Sequence, residues 1–124
     1  MKRQIFTTDA PPPVFGAYSQ GIVIDETRMY CAGQGPLNVK TGAKPQGIAA
    51  QTAQVIENLK AILEAGGFAL SDAVKATVHL ADLGDFAEFN RVYLQYFTGL
   101  LPVRTTVQSV LADILVEIDL IAEK

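Results

Sequence analysis

From Ile48 to Ala65 the chain is apolar along one side only. Ile48, Thr52, Val55, Ile56, Leu59, Ile62 and Leu63 recur at spacings of three and four, while Gln51, Gln54, Glu57, Lys60 and Glu64 supply the outer surface. The spacing predicts a helix that Gly66-Gly67 stops. A helix with a single apolar stripe has to lay it on a second layer.

The rest of the apolar sequence reads mainly as strands. Gly21 to Ile24 and Arg28 to Gly33, joined by the turn-like Asp25-Glu26-Thr27, predict a hairpin. Cys31 within it reads as an inert core residue. Ala73 to Leu80 alternates, with Val74, Ala76, Val78 and Leu80 on the apolar face and Lys75, Thr77 and His79 opposite. A second helix starts after Leu83-Gly84, with Asp85 as N-cap and Glu88 at N3. Phe86, Phe89, Tyr93, Tyr96 and Phe97 stripe one side of it, a pattern of core packing. Asn90, unfavourable inside a helix, is expected to bond to a nearby loop. Pro11-Pro12-Pro13 bars ladder and helix alike, and Tyr18, in the loop from Phe15 to Gly21, is either a half-buried packing residue or the wall of a pocket.

Two further runs, Leu101 to Gln108 and Val116 to Ile121, read as a hairpin of β-branched and aliphatic residues with one Arg, Arg104, and one Glu, Glu117, embedded in it. Charges in such runs are costly unless paired, exposed or kept for a ligand. A structural ion pair and a ligand site both fit the pattern.

In chain order this gives strand, hairpin, helix, strand, helix, strand, strand: an α+β two-layer domain with a mixed β-sheet and two helices packed on one face. With 124 residues, 49% of them hydrophobic, residues 1–124 suit a single domain. Two helices cover one sheet face. Ile22, Ile24, Tyr30, Val107, Val116, Ile118 and Ile121 are distributed over both, so the second face is expected to bury itself against other copies.

Several function classes fall away. Ten Lys and Arg against thirteen Asp and Glu, a formal charge of -3, leave no basic stripe for nucleic acid. No run is long and apolar enough for a spanning helix, Met1-Lys2-Arg3 is not followed by an apolar signal region, and the single cysteine fits a cytoplasmic address. One Cys and one His argue against a dedicated metal site, and the glycines match no phosphate loop. No cofactor is expected. His79 as a general base finds no Ser or Cys nucleophile tied to it.

Gly16-Ala17-Tyr18-Ser19-Gln20-Gly21, Cys31-Ala32-Gly33-Gln34, Val74 to Val78, Asp85-Phe86 with Asn90, and Pro102-Val103-Arg104-Thr105 with Val116-Glu117-Ile118 together resemble the Rid (YjgF) family, also known as endoribonuclease L-PSP-like, over about residues 3 to 122. The resemblance implies a chorismate-mutase-like topology, a homotrimer whose sheets line a barrel, and ligand clefts between subunits. It implies hydrolysis of 2-imino or enamino acids, such as 2-iminopropanoate and 2-iminobutanoate, to 2-keto acids and ammonia, with no metal or covalent intermediate. Arg104 would hold the substrate carboxylate with a bidentate fork, Glu117 would position or activate the water, and Tyr18 would form an aromatic wall. Gly33 would contribute a backbone contact, with Ala32, Thr106 and Asn90 completing the substrate-binding set.

The chain departs from the family pattern at Ala32, where a hydroxyl residue is usual, and at Thr106, where a cysteine is common. The turn around Ser109 to Asp113 is about two residues short and lacks its usual basic, Pro- and Gly-containing sequence. These departures keep open a second reading, a keto-acid-binding regulatory module with little turnover. A ribonuclease activity finds no support in the acidic balance.

Overall fold

The computed structural model describes residues 1–124. The elements are β1 (Lys2–Ile5), β2 (Gly21–Ile24), β3 (Arg28–Gln34), α1 (Ile48–Ala65), β4 (Ala73–Leu80), α2 (Phe86–Tyr96), β5 (Val103–Gln108) and β6 (Val116–Glu123). One six-stranded sheet runs in the order β1-β2-β3-β6-β4-β5. Only β4 and β5 pair in parallel; the other neighbours are antiparallel.

This order explains the two layers. Strands β3, β4 and β5 all run the same way, and α1 and α2 are the crossovers that join them. Both crossovers step in the same direction across the sheet, so a common right-handed sense puts both helices on one face. Val55, Ile56, Leu59, Ile62 and Leu63 of α1 and Phe89 and Tyr93 of α2 are buried against Val78, Leu80, Val116, Ile118 and Leu120. Cys31 lies in this core, and burial, helped by the charge of Asp119, pushes its thiol up to about 12, as an inert residue requires.

Three expectations need correction. The sheet is not closed into a barrel, and the fold is not chorismate-mutase-like: β1 and β5 are edges, each paired on one side only. The two C-terminal runs do not form a hairpin. After the α2 crossover, β5 aligns parallel to β4, and β6 enters on the other side of β4, between it and β3. Finally, Val74 is exposed and Ala73 takes the core position, because the ladder with β6 slips between Ala73 and Lys75.

The helix ends also differ from expectation. The Asp85 side chain caps nothing; Asp82 caps the preceding turn by accepting from Gly84 N at 2.8 Å, and Glu88 pairs with Arg91 one turn on. On α1, Gln51 and Gln54 are not outer-surface residues. Buried Gln51 accepts from Leu115 N (2.9 Å) and donates to Pro45 O (3.1 Å), while Gln54 joins Asn38 to buried Asn58. The open sheet face carries Ile22, Tyr30, Ile121, Val103 and Val107 interspersed with Lys75, Thr77, His79, Glu117 and Asp119.

Candidate functional site

Alternation along β6 sends Val116, Ile118, Leu120 and Ala122 under the helices, and turns Glu117 onto the open face. Glu117 meets a β-bulge there. The register between β3 and β6 slips between Cys31 and Gln34, so that Ala32 and Gly33 together face Asp119 alone. The Glu117 side chain lies across the bulge. A Cβ on Gly33 would stand 3.0 Å from Glu117 Oε2 and 3.2 Å from Cδ, so glycine is what lets the carboxyl group lie this close to the strand.

Above Glu117 opens a cleft of about 520 Å³. Pro11 to Phe15 and Tyr18 form one wall, Gly33 to Gly35 the floor, and Leu37 and Ile114 the far side; Glu117 is the only Asp, Glu, Lys or Arg among its lining residues. Phe15 is fully exposed at the rim in the left-handed region, with φ of 56°, an uncommon conformation for an aromatic residue. The proline wall is held from below by Gln20. Its buried amide nitrogen donates to Pro11 O (2.8 Å) and Thr7 O (3.1 Å), and its oxygen accepts from Thr7 N (2.7 Å). Asn58 holds the other lip, donating to Gly35 O and Leu37 O.

Arg104 is elsewhere. It pairs in register with Ala76 on β4, so it points to the helix-covered face at the free edge of the sheet. Nη1 donates to Asn90 Oδ1 at 2.8 Å, and the guanidinium carbon stands over the rings of Tyr93 (4.7 Å), Phe86 (5.5 Å) and Phe89 (5.5 Å). Asn90 therefore bonds to a strand side chain, not to a loop. Thr106, two residues on, shares this face. No carboxylate lies within ion-pairing distance of Arg104, so the structural ion pair with Glu117 is not formed within the chain.

The sequence-predicted residues thus fall into two groups. Tyr18, Gly33 and Glu117 line the cleft, with Ala32 beside them in the bulge; Arg104, Asn90 and Thr106 lie on the opposite face, at the β5 edge. Glu117 pairs with His79 on β4, three residues along from the Ala76 that faces Arg104. With β4 between them, the two Cα atoms are about 14 Å apart at ordinary strand spacings.

A family model for endoribonuclease L-PSP matches residues 7–124, almost the whole chain. The chain belongs to the Rid family, the endoribonuclease L-PSP family of that model. Among Rid relatives, a RutC family protein of Pyrococcus horikoshii is 47% identical, covering 100% of this chain and 99% of its own. A 2-iminobutanoate/2-iminopropanoate deaminase of Escherichia coli K12 is 39% identical, covering 98% of each. The crystal structure of E. coli TdcF with bound serine superposes with a TM-score of 0.91 at 36% identity, covering 98% of each chain.

Sequence reasoning missed Gln20, Asn58 and Ser109. Gln20 had a signal: a run of prolines supplies carbonyls without N–H groups, and an amide is the natural donor for them. Asn58 sits at a helix position the apolar periodicity passes over. Ser109 corrects the reading of His79, because its hydroxyl is 2.7 Å from His79 Nδ1. That contact binds the histidine to the chain just past β5, on the open face beside Glu117 and Asp119.

Proposed function

We propose that the protein hydrolyses small 2-imino acids, with 2-iminopropanoate and 2-iminobutanoate as its substrates, to 2-keto acids and ammonia. The observation that carries this reading is the placing of a lone carboxyl group, Glu117, at the bottom of a largely apolar cleft, against a glycine that keeps the space beside it free. The identity with the E. coli deaminase and the likeness to a relative with bound serine, itself a small α-amino carboxylate, support it.

Arg104 grips the substrate carboxylate with two parallel N–H···O bonds. Tyr18 walls the side chain, and the Gly33 backbone meets the reacting centre. The iminium carbon is already electrophilic, so a positioned water and a base complete the reaction. Glu117 takes a proton from the water as its oxygen bonds to C2. The proton passes to nitrogen, and the carbinolamine collapses: R–C(=NH2+)–COO− and H2O give R–CO–COO− and NH4+.

Because Arg104 and Glu117 face opposite ways, one substrate meets both only between two copies. The β5 edge of one copy, with Arg104, Asn90 and Thr106, closes over the cleft of the next. A homotrimer provides three such clefts, and the part-exposed Ile22, Tyr30, Ile121 and Val107 give the open face apolar surface to bury in assembly.

The test generates 2-iminopropanoate in place with an amino-acid oxidase and traps the surviving imine with semicarbazide. Wild-type protein shortens the imine lifetime, and Arg104→Ala and Glu117→Gln each lose the effect. Binding of a 2-keto acid without any acceleration by the wild type would overturn the enzyme reading in favour of a regulatory carboxylate-binding module.

A further inference from the structure

The Arg104 guanidinium is half-buried at the sheet edge, has no carboxylate within ion-pairing distance, and gives only one of its five N–H groups to a protein acceptor. A cation drawn part-way out of water needs some compensating partner. The structure provides aromatic faces. Phe86, Phe89 and Tyr93 occur at i, i+3 and i+7 of α2, one face of the helix, and all three rings stand within 5.5 Å of the guanidinium carbon. The stripe packs the core as its pattern predicts, with Phe89, Tyr93 and Phe97 buried, and one side of it also meets the cation. Phe97 stacks on Tyr93 in the core, with ring centroids 4.4 Å apart, while Phe86, Phe89 and the face of Tyr93 turn to the cation.

We infer that Phe86, Phe89 and Tyr93 are positioning residues that form a π cage for Arg104, standing in for an acidic partner so that its N–H fork stays available to a ligand carboxylate. The inference rests on the reading above that Arg104 binds the substrate carboxylate. A ring quadrupole attracts the cation through its face and offers no in-plane lone pairs, so it compensates desolvation without competing for the fork. An Asp or Glu in the same place would occupy the two parallel donors that the substrate needs. Asn90 adds the one in-plane bond that fixes rotation of the guanidinium between the rings. Tyr93 is the closest of the three, and its buried hydroxyl has no hydrogen-bond partner of good geometry.

Phe86 is the member to test, because it is 39% exposed and its removal leaves the core intact. Two variants of the full chain separate ring electrostatics from packing: Phe86→Leu, and pentafluorophenylalanine at position 86, which keeps the ring's shape and reverses its quadrupole. Phe86→Tyr is the conservative rescue. Binding of 2-oxobutanoate is measured by calorimetry, and KM and kcat for 2-iminobutanoate by semicarbazide competition. Both disrupting variants weaken 2-oxobutanoate binding and raise KM by about five-fold, with kcat within two-fold and Phe86→Tyr close to wild type. Unchanged affinity in both disrupting variants, or a loss in Phe86→Leu that the fluorinated ring does not share, overturns the cage. The deaminase reading fails separately. Wild-type protein that binds 2-oxobutanoate through Arg104 and responds to the Phe86 variants, yet leaves the imine untouched, keeps the cage and loses the enzyme. Wild-type turnover with insensitive Phe86 variants keeps the enzyme and loses the cage. Wild-type protein that binds no 2-oxobutanoate contradicts both.

Discussion

Arg104 and Glu117 stand on opposite faces of the same sheet, with β4 between their strands. Neither can reach a small ligand held by the other within one chain. The separation accounts for two features that would otherwise be costly: a half-buried cation without an acidic partner, and a carboxyl group lying alone in an apolar cleft. In the proposed assembly each is half of a site that a second copy completes.

Gly33 fixes where the Glu117 half can be. Gly33→Ala meets Oε2, the far end of a flexible side chain, so the fold tolerates it and the carboxyl group moves. The expected result is a fall in kcat of about ten-fold or more, with thermal stability within about 1 kcal/mol of wild type. Steady-state kinetics beside a denaturation curve checks both parts.

Gln20 carries the cleft wall. Replacing it with Leu keeps the volume and leaves the half-buried carbonyls of Thr7 and Pro11 and the N–H of Thr7 without their partner. The expected loss is about 2 kcal/mol of stability, from half-buried groups left unsatisfied. Proteolysis confined to residues 7–16 before global unfolding would show that the wall loosens first.

Asp119 gives the open face a pH signature. Burial raises its pKa, against the lowering effects of the Thr77 hydroxyl, His79 and Lys75. With the folded-state value above the unfolded one, its favourable contribution is complete below the unfolded value and is lost as pH rises through the folded value. Asp119→Asn removes that loss. The variant should melt higher than wild type at pH 7, and the advantage should vanish near pH 3, about one unit below the unfolded Asp value. Melting curves across this range that stay parallel would contradict the assignment.

What the chain reveals as sequence is local. The helix from Ile48 to Ala65 and the strand from Ala73 to Leu80 are both found where their periodicity puts them, because one-sided burial imposes the period. The proline segment and Tyr18 were legible as a loop, and the family motifs pointed to Arg104 and Glu117 as residues of interest. Periodicity does not reveal which strand lies beside which. Val103 to Gln108 and Val116 to Glu123 follow each other in sequence with turn residues between, the pattern of a hairpin, yet the parallel pairing of β5 with β4 separates them. The one-residue bulge at Ala32-Gly33 was equally hidden. It shifts the phase of β3 so that Cys31 and Gln34 are both buried, and no pattern of residue types marks it. Polar helix positions misled for a related reason: Gln51 and Gln54 look solvent-facing until the loop residues Leu115 and Asn38 that they bind are folded over them.

The central claim, one imine-hydrolysing site built from the Arg104 edge of one copy and the Glu117 cleft of another, is tested most directly by mixing two inactive variants. Arg104→Ala and Glu117→Gln are co-expressed in equal amounts, and the mixed oligomers are assayed for imine decay. A site made from neighbouring copies receives both wild-type residues when its two contributors differ in the right order, so about a quarter of wild-type activity should return. Mixed oligomers as inactive as either variant alone would contradict the account.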